Sequence, residues 1–388
     1  MNLKDVKKIA VLGSGAMGHG IAQVCAAAGF EVTMRDIKQE FLDKGMAKIK
    51  ESFGILSGKG KMTKEDADAA LNRIKTAIDI KDTVKGAQIV IEAIPEVMEL
   101  KKSIFKEVSD NVPEDTVLAT NTSTMSITDI GSVIKNPSRF AGMHFFNPPN
   151  RMRLVEVIYG QKTSKETVDL LYEIAKIIKK APVRVLKDRP GFIVNRINAP
   201  YQPLLSAILD EGKIKTDAID AAQKKLGMPM GAFELLDYVG IDIVFHGMKY
   251  YEQTLSPEYK PGKYLNERME KKELGMKTGK GIYDWSSGKA VIDMTQETTE
   301  ISPVDFIAVL LNEAVKVFKE GIAESAQDID QAQVAGMNSA AGPFALASGI
   351  EPAALTASLE KLSKRYGLAI LKPEPEIADG SFKKMLKK

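Results

Sequence analysis

Residues 142–157 read GMHFFNPPNRMRLVEV and set a histidine, His144, and a glutamate, Glu156, twelve positions apart in two apolar runs. The chain has only three histidines in 388 residues. An imidazole takes or gives a proton near neutral pH, and a carboxylate can orient it and stabilise its charged form. Two readings are open: chance polar residues facing solvent, or a base and its orienting partner in one cleft. The surrounding strands and helices decide between them.

The N-terminal segment KKIAVLGSGAMGHGIAQVCAAAGFEVTMRDI predicts a strand over Ile9 to Leu12, a turn with Gly13, Gly15 and Gly18, and a helix of small residues ending at Gly29. A second strand follows from Phe30 to Met34, with Asp36 beyond it. Gly13 permits the tight turn, Gly15 lets the backbone approach a pyrophosphate, and Gly18 lets helix and strand pack closely. Ala16 and Met17 lie in the same turn, where the free N–H groups and dipole of a helix start favour phosphate. Asp36 is placed to accept hydrogen bonds from an adenine ribose. Its charge favours NAD over NADP, although Arg35 beside it keeps NADP open. His19 reads as a helix residue without chemistry.

Strands and helices go on alternating. Strands are expected at 88–91, 116–121 and 139–146 and within RLVEVIYG, with helices over about 97–111 and 165–180. The Ser/Thr-rich start of NTSTMSITDI suits a helix cap, so Ser123 could be a cap, a substrate contact or both. This alternation specifies an α/β, Rossmann-type, doubly wound, mostly parallel sheet. Ligands bind such sheets at the carboxyl ends of strands. Glu92, Asn121, Ser123 and His144 all fall near those ends and are expected to line one crevice, with His144 where the nicotinamide would lie.

Composition sets the outer bounds. The chain is 44% hydrophobic and 27% charged with a net charge of +3, which gives no global attraction to nucleic acid. Only the terminal KKMLKK is a basic block, and it reads as a solvated end. The single cysteine, Cys25, excludes an internal disulfide and suits a reducing compartment. The opening MNLKDVKKIAVLG runs directly into a strand, and no window approaches ~18 apolar residues. A cytoplasmic protein with no membrane partner is expected. Three scattered histidines and one cysteine make no metal site. His246 reads as an ordinary helix residue and Trp285 as packing.

Taken together, GSGAMGHG, EAIPEVMELK, NTST, HFFNPP, LVEV, DRPGFIVNR and PMGAFELLDYVG closely resemble the 3-hydroxyacyl-CoA dehydrogenase family, in order and spacing, over roughly residues 8–285. The resemblance implies a dinucleotide domain followed by an all-helical domain. It implies NAD-dependent, reversible oxidation of (S)-3-hydroxyacyl-CoA to 3-ketoacyl-CoA, with 3-hydroxybutyryl-CoA as an expected short substrate. It makes His144 the base and Glu156 its orienting carboxylate. Ser123 and Asn195 become the polar groups around the reacting oxygen. Glu96, Lys101, Asn121, Ser123 and Asn147 are implied on the cofactor side. Ser52 and Lys59 are implied as coenzyme A contacts, with Lys61 an alternative to Lys59.

The C-terminal half predicts two related helical units. Glu211-Gly212, Ile219-Asp220, Gly227-Met228 and Gly231-Ala232-Phe233 recur at Glu320-Gly321, Ile329-Asp330, Gly336-Met337 and Gly342-Pro343-Phe344, at offsets between 109 and 111. The expected segments are 1–187, 188–298 and 299–388, with KDRPG (187–191) as hinge. The second unit lacks the Asn-Arg of IVNR, so its role is expected to be structural. Family members with one such unit dimerise through it, so the chain is expected to be a monomer imitating a dimer, or a homodimer with an altered interface. Ending at KKMLKK, it is expected to have no hydratase activity. Two alternatives stay open. One is a sister dehydrogenase of free hydroxy acids or sugar acids, which would not need a basic hairpin around Lys59. The other is a catalytically silent NAD-binding protein, which would not need His144, Glu156, Ser123 and Asn195 together.

Overall fold

The computed structural model describes residues 1–386; the last two lysines of the KKMLKK tail lie outside the described residues. The chain forms two compact units, residues 1–194 with 321–342, and residues 195–320 with the chain from 343 onward.

In the first unit eight strands form one sheet. They are β1 (Lys8–Leu12), β2 (Glu31–Arg35), β3 (Ile74–Ala77), β4 (Ile89–Glu92), β5 (Val117–Thr120), β6 (Phe140–Phe145), β7 (Leu154–Ile158) and β8 (Ala181–Val185). The order is β3-β2-β1-β4-β5-β6-β7-β8. Every neighbouring pair is parallel except β6 and β7. The helices are α1 (Gly18–Ala27), α2 (Gln39–Gly58), α3 (Lys64–Asn72), α4 (Ile80–Val84), α5 (Met98–Asp110), α6 (Ile127–Gly131) and α7 (Lys165–Ile177). The central strands are mostly apolar and buried on both faces, as a parallel sheet covered by crossover helices requires. Strand order reverses between β1 and β4, the switch point where such sheets bind ligands.

Beyond β8 the chain is helical: α8 (Val194–Asn198), α9 (Tyr201–Glu211), α10 (Thr216–Lys225), α11 (Ala232–Val239), α12 (Ile241–Thr254), α13 (Lys263–Glu270), α14 (Pro303–Lys319), α15 (Ala326–Met337), α16 (Pro343–Ala347) and α17 (Pro352–Tyr366). The repeat is visible in its glycines. Gly212 after α9 and Gly321 after α14 both take left-handed φ, 63° and 66°. A Cβ on Gly231 would lie 2.3 Å from Asp220, and one on Gly342 would lie 2.2 Å from Asp330. The same aspartate-on-glycine contact thus closes both copies. α15 of the second copy packs on β7 and β8 in the first unit. Within the second unit, α14 meets α8 and α9 through Arg196 Nε on Glu313 at 2.5 Å and the Tyr201 hydroxyl on the Phe306 carbonyl at 2.8 Å.

Two strands escape the sequence reading. β3 is a short edge strand whose middle residues are exposed, so it lacks an apolar run. β8 is short and carries Pro182 and a half-buried Arg184. The helix expected over 165–180 stops at Ile177, because Lys179 turns left-handed at φ 61° and the Lys180 amide bonds back to the Ala175 carbonyl at 2.9 Å.

Candidate active site

His144 and Glu156 stand directly opposite each other on the antiparallel pair β6 and β7. His144 Nδ1 lies 2.7 Å from Glu156 Oε2, and both residues are buried. The other carboxylate oxygen accepts the amides of Ile193 and Val194 at 3.1 and 3.0 Å. The chain delivers those amides because Gly191 and Phe192 are both left-handed, at φ 80° and 53°. A phenylalanine there holds a strained conformation that its surroundings must fix. Its ring lies 5.8 Å from the His144 ring, and Phe146 closes the other approach at 4.6 Å. Glu156 therefore accepts three hydrogen bonds in an apolar setting. With the carboxylate ionised, Nδ1 carries the imidazole proton and Nε2 keeps its lone pair.

The glycine turn has the form that a dinucleotide needs. Gly13 has φ 102°, and a Cβ there would lie 2.4 Å from the Ala93 carbonyl. A Cβ on Gly18 would meet the Gly13 carbonyl at 1.9 Å. Gly15 differs: a Cβ there would meet nothing within 4 Å. The turn is thus packed shut at Gly13 and Gly18 and open at Gly15, beside the start of α1. Ala16 is exposed and Met17 is the residue before α1. Asp36 follows β2, and its Oδ2 accepts the Ser14 amide and hydroxyl, each at 2.8 Å. Arg35 is committed elsewhere, its Nε donating to the Ile78 carbonyl at 2.9 Å.

On the other side of the switch point, Glu92 differs from its expected place in the crevice. It is fully buried, with Oε1 accepting Lys101 at 2.6 Å and the Ile94 amide at 2.7 Å, and Oε2 accepting Thr120 at 2.6 Å. Burial pushes its carboxyl above the usual range, against the pull of Lys101, Thr120 and Ile94. Lys101 also lies 3.1 Å from Glu96. Glu96 in turn accepts the Thr122 hydroxyl at 2.9 Å and the Ser123 amide at 2.8 Å, with the Ser123 hydroxyl at 3.3 Å. The helix cap expected in this segment is Ser126, which accepts the Asp129 amide at 3.1 Å. Asn121 ties two strands, its amide donating to the Glu92 carbonyl and its Oδ1 accepting the Phe145 amide, both at 2.8 Å. It is held one residue from His144.

The remaining candidates are spread wider. Asn147 is exposed just past β6. Asn195 opens the second unit, one residue after Val194. Ser52 on α2 accepts from Gln23 at 2.8 Å and from Asn150 at 3.0 Å. Lys59 and Lys61 are exposed beyond the end of α2. His19 is half-buried with Nδ1 2.5 Å from the Gly15 carbonyl, His246 is exposed, and Trp285 is buried with its indole N–H on Asp237. Sequence reading missed Thr120, Thr122, Phe192, Gln23, Asn150 and Lys180. The Pro-Gly of DRPG was the available signal for Phe192; the others are ordinary polar residues whose partners lie far away in the chain. Among the described residues, no group of three histidine, cysteine or carboxylate side chains could hold a metal ion, and no helix is long and apolar enough to cross a membrane.

A dinucleotide-binding sheet with a buried His–Glu pair beyond its switch point defines a Rossmann-type, NAD-binding oxidoreductase scaffold. The family models agree. Residues 8–189 match the 3-hydroxyacyl-CoA dehydrogenase NAD binding domain, and residues 191–285 match the 3-hydroxyacyl-CoA dehydrogenase C-terminal domain. The chain belongs to the 3-hydroxyacyl-CoA dehydrogenase family. It is similar to the crystal structure of 3-hydroxybutyryl-CoA dehydrogenase from Escherichia coli K12, at 29% identity and TM-score 0.88 over 98% of both chains. It is similar to (S)-3-hydroxybutyryl-CoA dehydrogenase from Ralstonia eutropha, at 38% identity and TM-score 0.69, over 72% of this chain and 99% of that one. Among curated sequences it is similar to the fatty acid oxidation complex subunit alpha of Psychrobacter cryohalolentis, at 35% identity over 86% of this chain. The chain spans about half the length of the curated relatives it matches, 49% in that case.

Proposed function

We propose that this chain catalyses the reversible oxidation of (S)-3-hydroxyacyl-CoA to 3-ketoacyl-CoA, on short substrates such as 3-hydroxybutyryl-CoA. The carrying observation is the buried His144–Glu156 pair in the NAD-binding sheet of this family. NAD, when bound, accepts the hydride from the carbinol carbon. The residues fit that cofactor: the turn is open at Gly15, Asp36 would meet the ribose, and Arg35 is spent on a main-chain carbonyl. NAD is therefore favoured over NADP. Gly13, Gly15, Ala16, Met17 and Gly18 would hold the pyrophosphate. Glu96, Asn121, Ser123 and Asn147 would lie on the nicotinamide side, with Lys101 acting through the Glu96 carboxylate it holds.

His144 takes the hydroxyl proton on Nε2. Glu156 keeps the ring in the tautomer that leaves Nε2 free and stabilises the imidazolium. The Ser123 hydroxyl rests on Glu96 through a long bond and can exchange it for the substrate oxygen. Asn195 would be the second polar group for that oxygen, as the family resemblance implies, most useful as charge develops in ketone reduction. Ser52 and the exposed Lys59 or Lys61 would meet coenzyme A. The segments 1–187, 188–298 and 299–388 would serve as cofactor domain, first helical domain and degenerate second copy in a cytoplasmic protein. The contacts of α14 with α8 and α9 support a second copy that covers the face through which single-copy relatives dimerise, and so a monomer. Sedimentation tests that.

The test of the reaction is absorbance at the reduced-nicotinamide band with acetoacetyl-CoA, with NADH and NADPH side by side. Rapid oxidation of NADH is expected. Turnover only with free hydroxy acids would replace the CoA reading. A series from butyryl to palmitoyl substrates tests the chain length.

A further inference from the structure

The connection from β6 to β7, residues 146–153, bears on the spacing of His144 and Glu156 from one side. It is held from outside at three places. Lys180 donates from Nζ to the Pro149 carbonyl and, at 2.7 Å, to the Met152 carbonyl. Asn150 donates to Ser52 on α2 at 3.0 Å and to Gln23 on α1 at 3.3 Å, while Gln23 donates to the same serine at 2.8 Å. Pro149 lies against Gly20 of α1, where a Cβ would come within 3.0 Å of its ring. The connection is therefore fastened to the helix that starts at the glycine turn and to the helix that leads to the basic hairpin.

Of these fasteners Lys180 is the only charged one. Left-handed Lys179 turns the chain so that Lys180 runs under the connection, at an energetic cost that glycine would avoid. Burying an ammonium against carbonyls costs desolvation, which an apolar side chain at the same place would not incur. The charge instead gathers two carbonyls of one tight turn, whose Arg151 and Met152 amides both close on the Pro148 carbonyl at 2.9 Å.

We infer that Lys180 is a positioning residue for the proposed reaction, its ammonium fixing the 146–153 connection, and with it Asn147 and the His144–Glu156 pair, against α1 and α2. The inference rests on the dehydrogenase reading. Burial pushes the Lys180 ammonium down to about 8. Its titratable neighbour is the buried Cys25 thiol of α1, pushed up to about 12 and so neutral throughout the range. Arg151 and Arg153 are the charged residues of the connection itself. As pH rises through about 8 the ammonium becomes an amine, a weaker donor to the two carbonyls, and the hold on the turn loosens.

The experiment follows oxidation of (S)-3-hydroxybutyryl-CoA by NAD from pH 6 to 10 with the full chain, as wild type, Lys180→Met and Lys180→Arg. NADH affinity is measured by its fluorescence over the same range. In this direction the base accepts a proton, so a loss on the alkaline side reports on Lys180. Wild type should lose kcat/KM above about pH 8. Lys180→Met should fall about tenfold at pH 7 and lose the alkaline limb. Lys180→Arg should keep at least half the activity and carry that limb upward by more than one pH unit. An alkaline limb unmoved in Lys180→Arg, or wild-type kcat/KM in Lys180→Met, overturns the inference. If Lys180→Met does not fold, the arginine variant alone decides. Absence of turnover in wild type would sink the dehydrogenase reading; NADH affinity that weakens above pH 8 in wild type but not in Lys180→Arg would still uphold the pin, and equal profiles would end it.

Discussion

His144 and Glu156 are register partners on adjacent antiparallel strands, and their side chains meet at 2.7 Å in a setting where the carboxylate is wholly buried. β6 and β7 form the one antiparallel step in an otherwise parallel sheet. A parallel neighbour would have needed a crossover of a dozen residues or more. The antiparallel step brings a base and its partner together from residues only twelve apart.

Replacing Glu156 with Gln should leave the fold standing, since one side-chain oxygen still accepts the Ile193 and Val194 amides. The other position becomes an amide donor against Nδ1, which favours the wrong tautomer. By analogy with other carboxylate–histidine pairs, kcat should fall by roughly 10²–10⁴, with KM for the acyl-CoA moving far less. Steady-state kinetics with acetoacetyl-CoA and NADH checks this. A loss confined to KM would contradict an orienting role.

Asp36→Asn should alter cofactor choice more than turnover. The asparagine keeps an oxygen for Ser14 but drops the charge that would repel a 2′-phosphate. The ratio of kcat/KM for NADH over NADPH should shrink by about tenfold, or about 1.4 kcal/mol. Parallel assays with the two cofactors measure it, and an unchanged ratio would remove Asp36 from the ribose.

Lys101→Met should destabilise the first unit. It strands the Glu92 carboxylate without its ammonium in a fully buried site. Breaking one side of such a pair costs about 3–5 kcal/mol. Adding Glu92→Gln should recover most of that loss, because a neutral amide needs no counter-charge. Thermal melting of the single and double variants decides it; equal losses in both would mean that packing around Lys101 dominates.

Much of this site is legible in the sequence because it rests on short-range rules. The glycine spacing, the acid after β2 and the apolar runs around His144 and Glu156 depend on a strand, a turn or a helix start within a few residues. What is not legible rests on partners far apart in the chain. Glu92 ends a strand like any crevice residue, yet Lys101 and Thr120 occupy both of its oxygens. Ser123 looks like a cap, and Ser126 is the cap instead. Residues 321–342 belong to a repeat that reads as helical and C-terminal, yet α15 packs on β7 and β8. A repeat shows which residues are alike in two copies and is silent about which surface each copy covers.

Asp220 gives the second unit a pH-dependent stability. Its carboxylate is buried and caps α11, accepting the Phe233 and Glu234 amides at 3.0 and 2.7 Å and the Tyr283 hydroxyl at 2.9 Å. Burial nevertheless dominates and raises the carboxyl from 3.8 to about 6. A carboxyl that is raised on folding binds its proton more readily in the folded chain. Its contribution is therefore fully present below the unfolded value near 3.8 and is lost as pH rises through about 6. The shift is worth up to about 3 kcal/mol at 1.36 kcal/mol per unit. Asp220→Asn cannot titrate, so its deficit against wild type should be largest near pH 4 and shrink by most of that amount by pH 8. Trp285, the single tryptophan, reports on this unit through its indole bond to Asp237 at 2.9 Å. Urea unfolding followed by its fluorescence at both pH values gives the two deficits. A deficit that stays constant, or grows toward pH 8, would show that the amide and hydroxyl donors outweigh burial at Asp220.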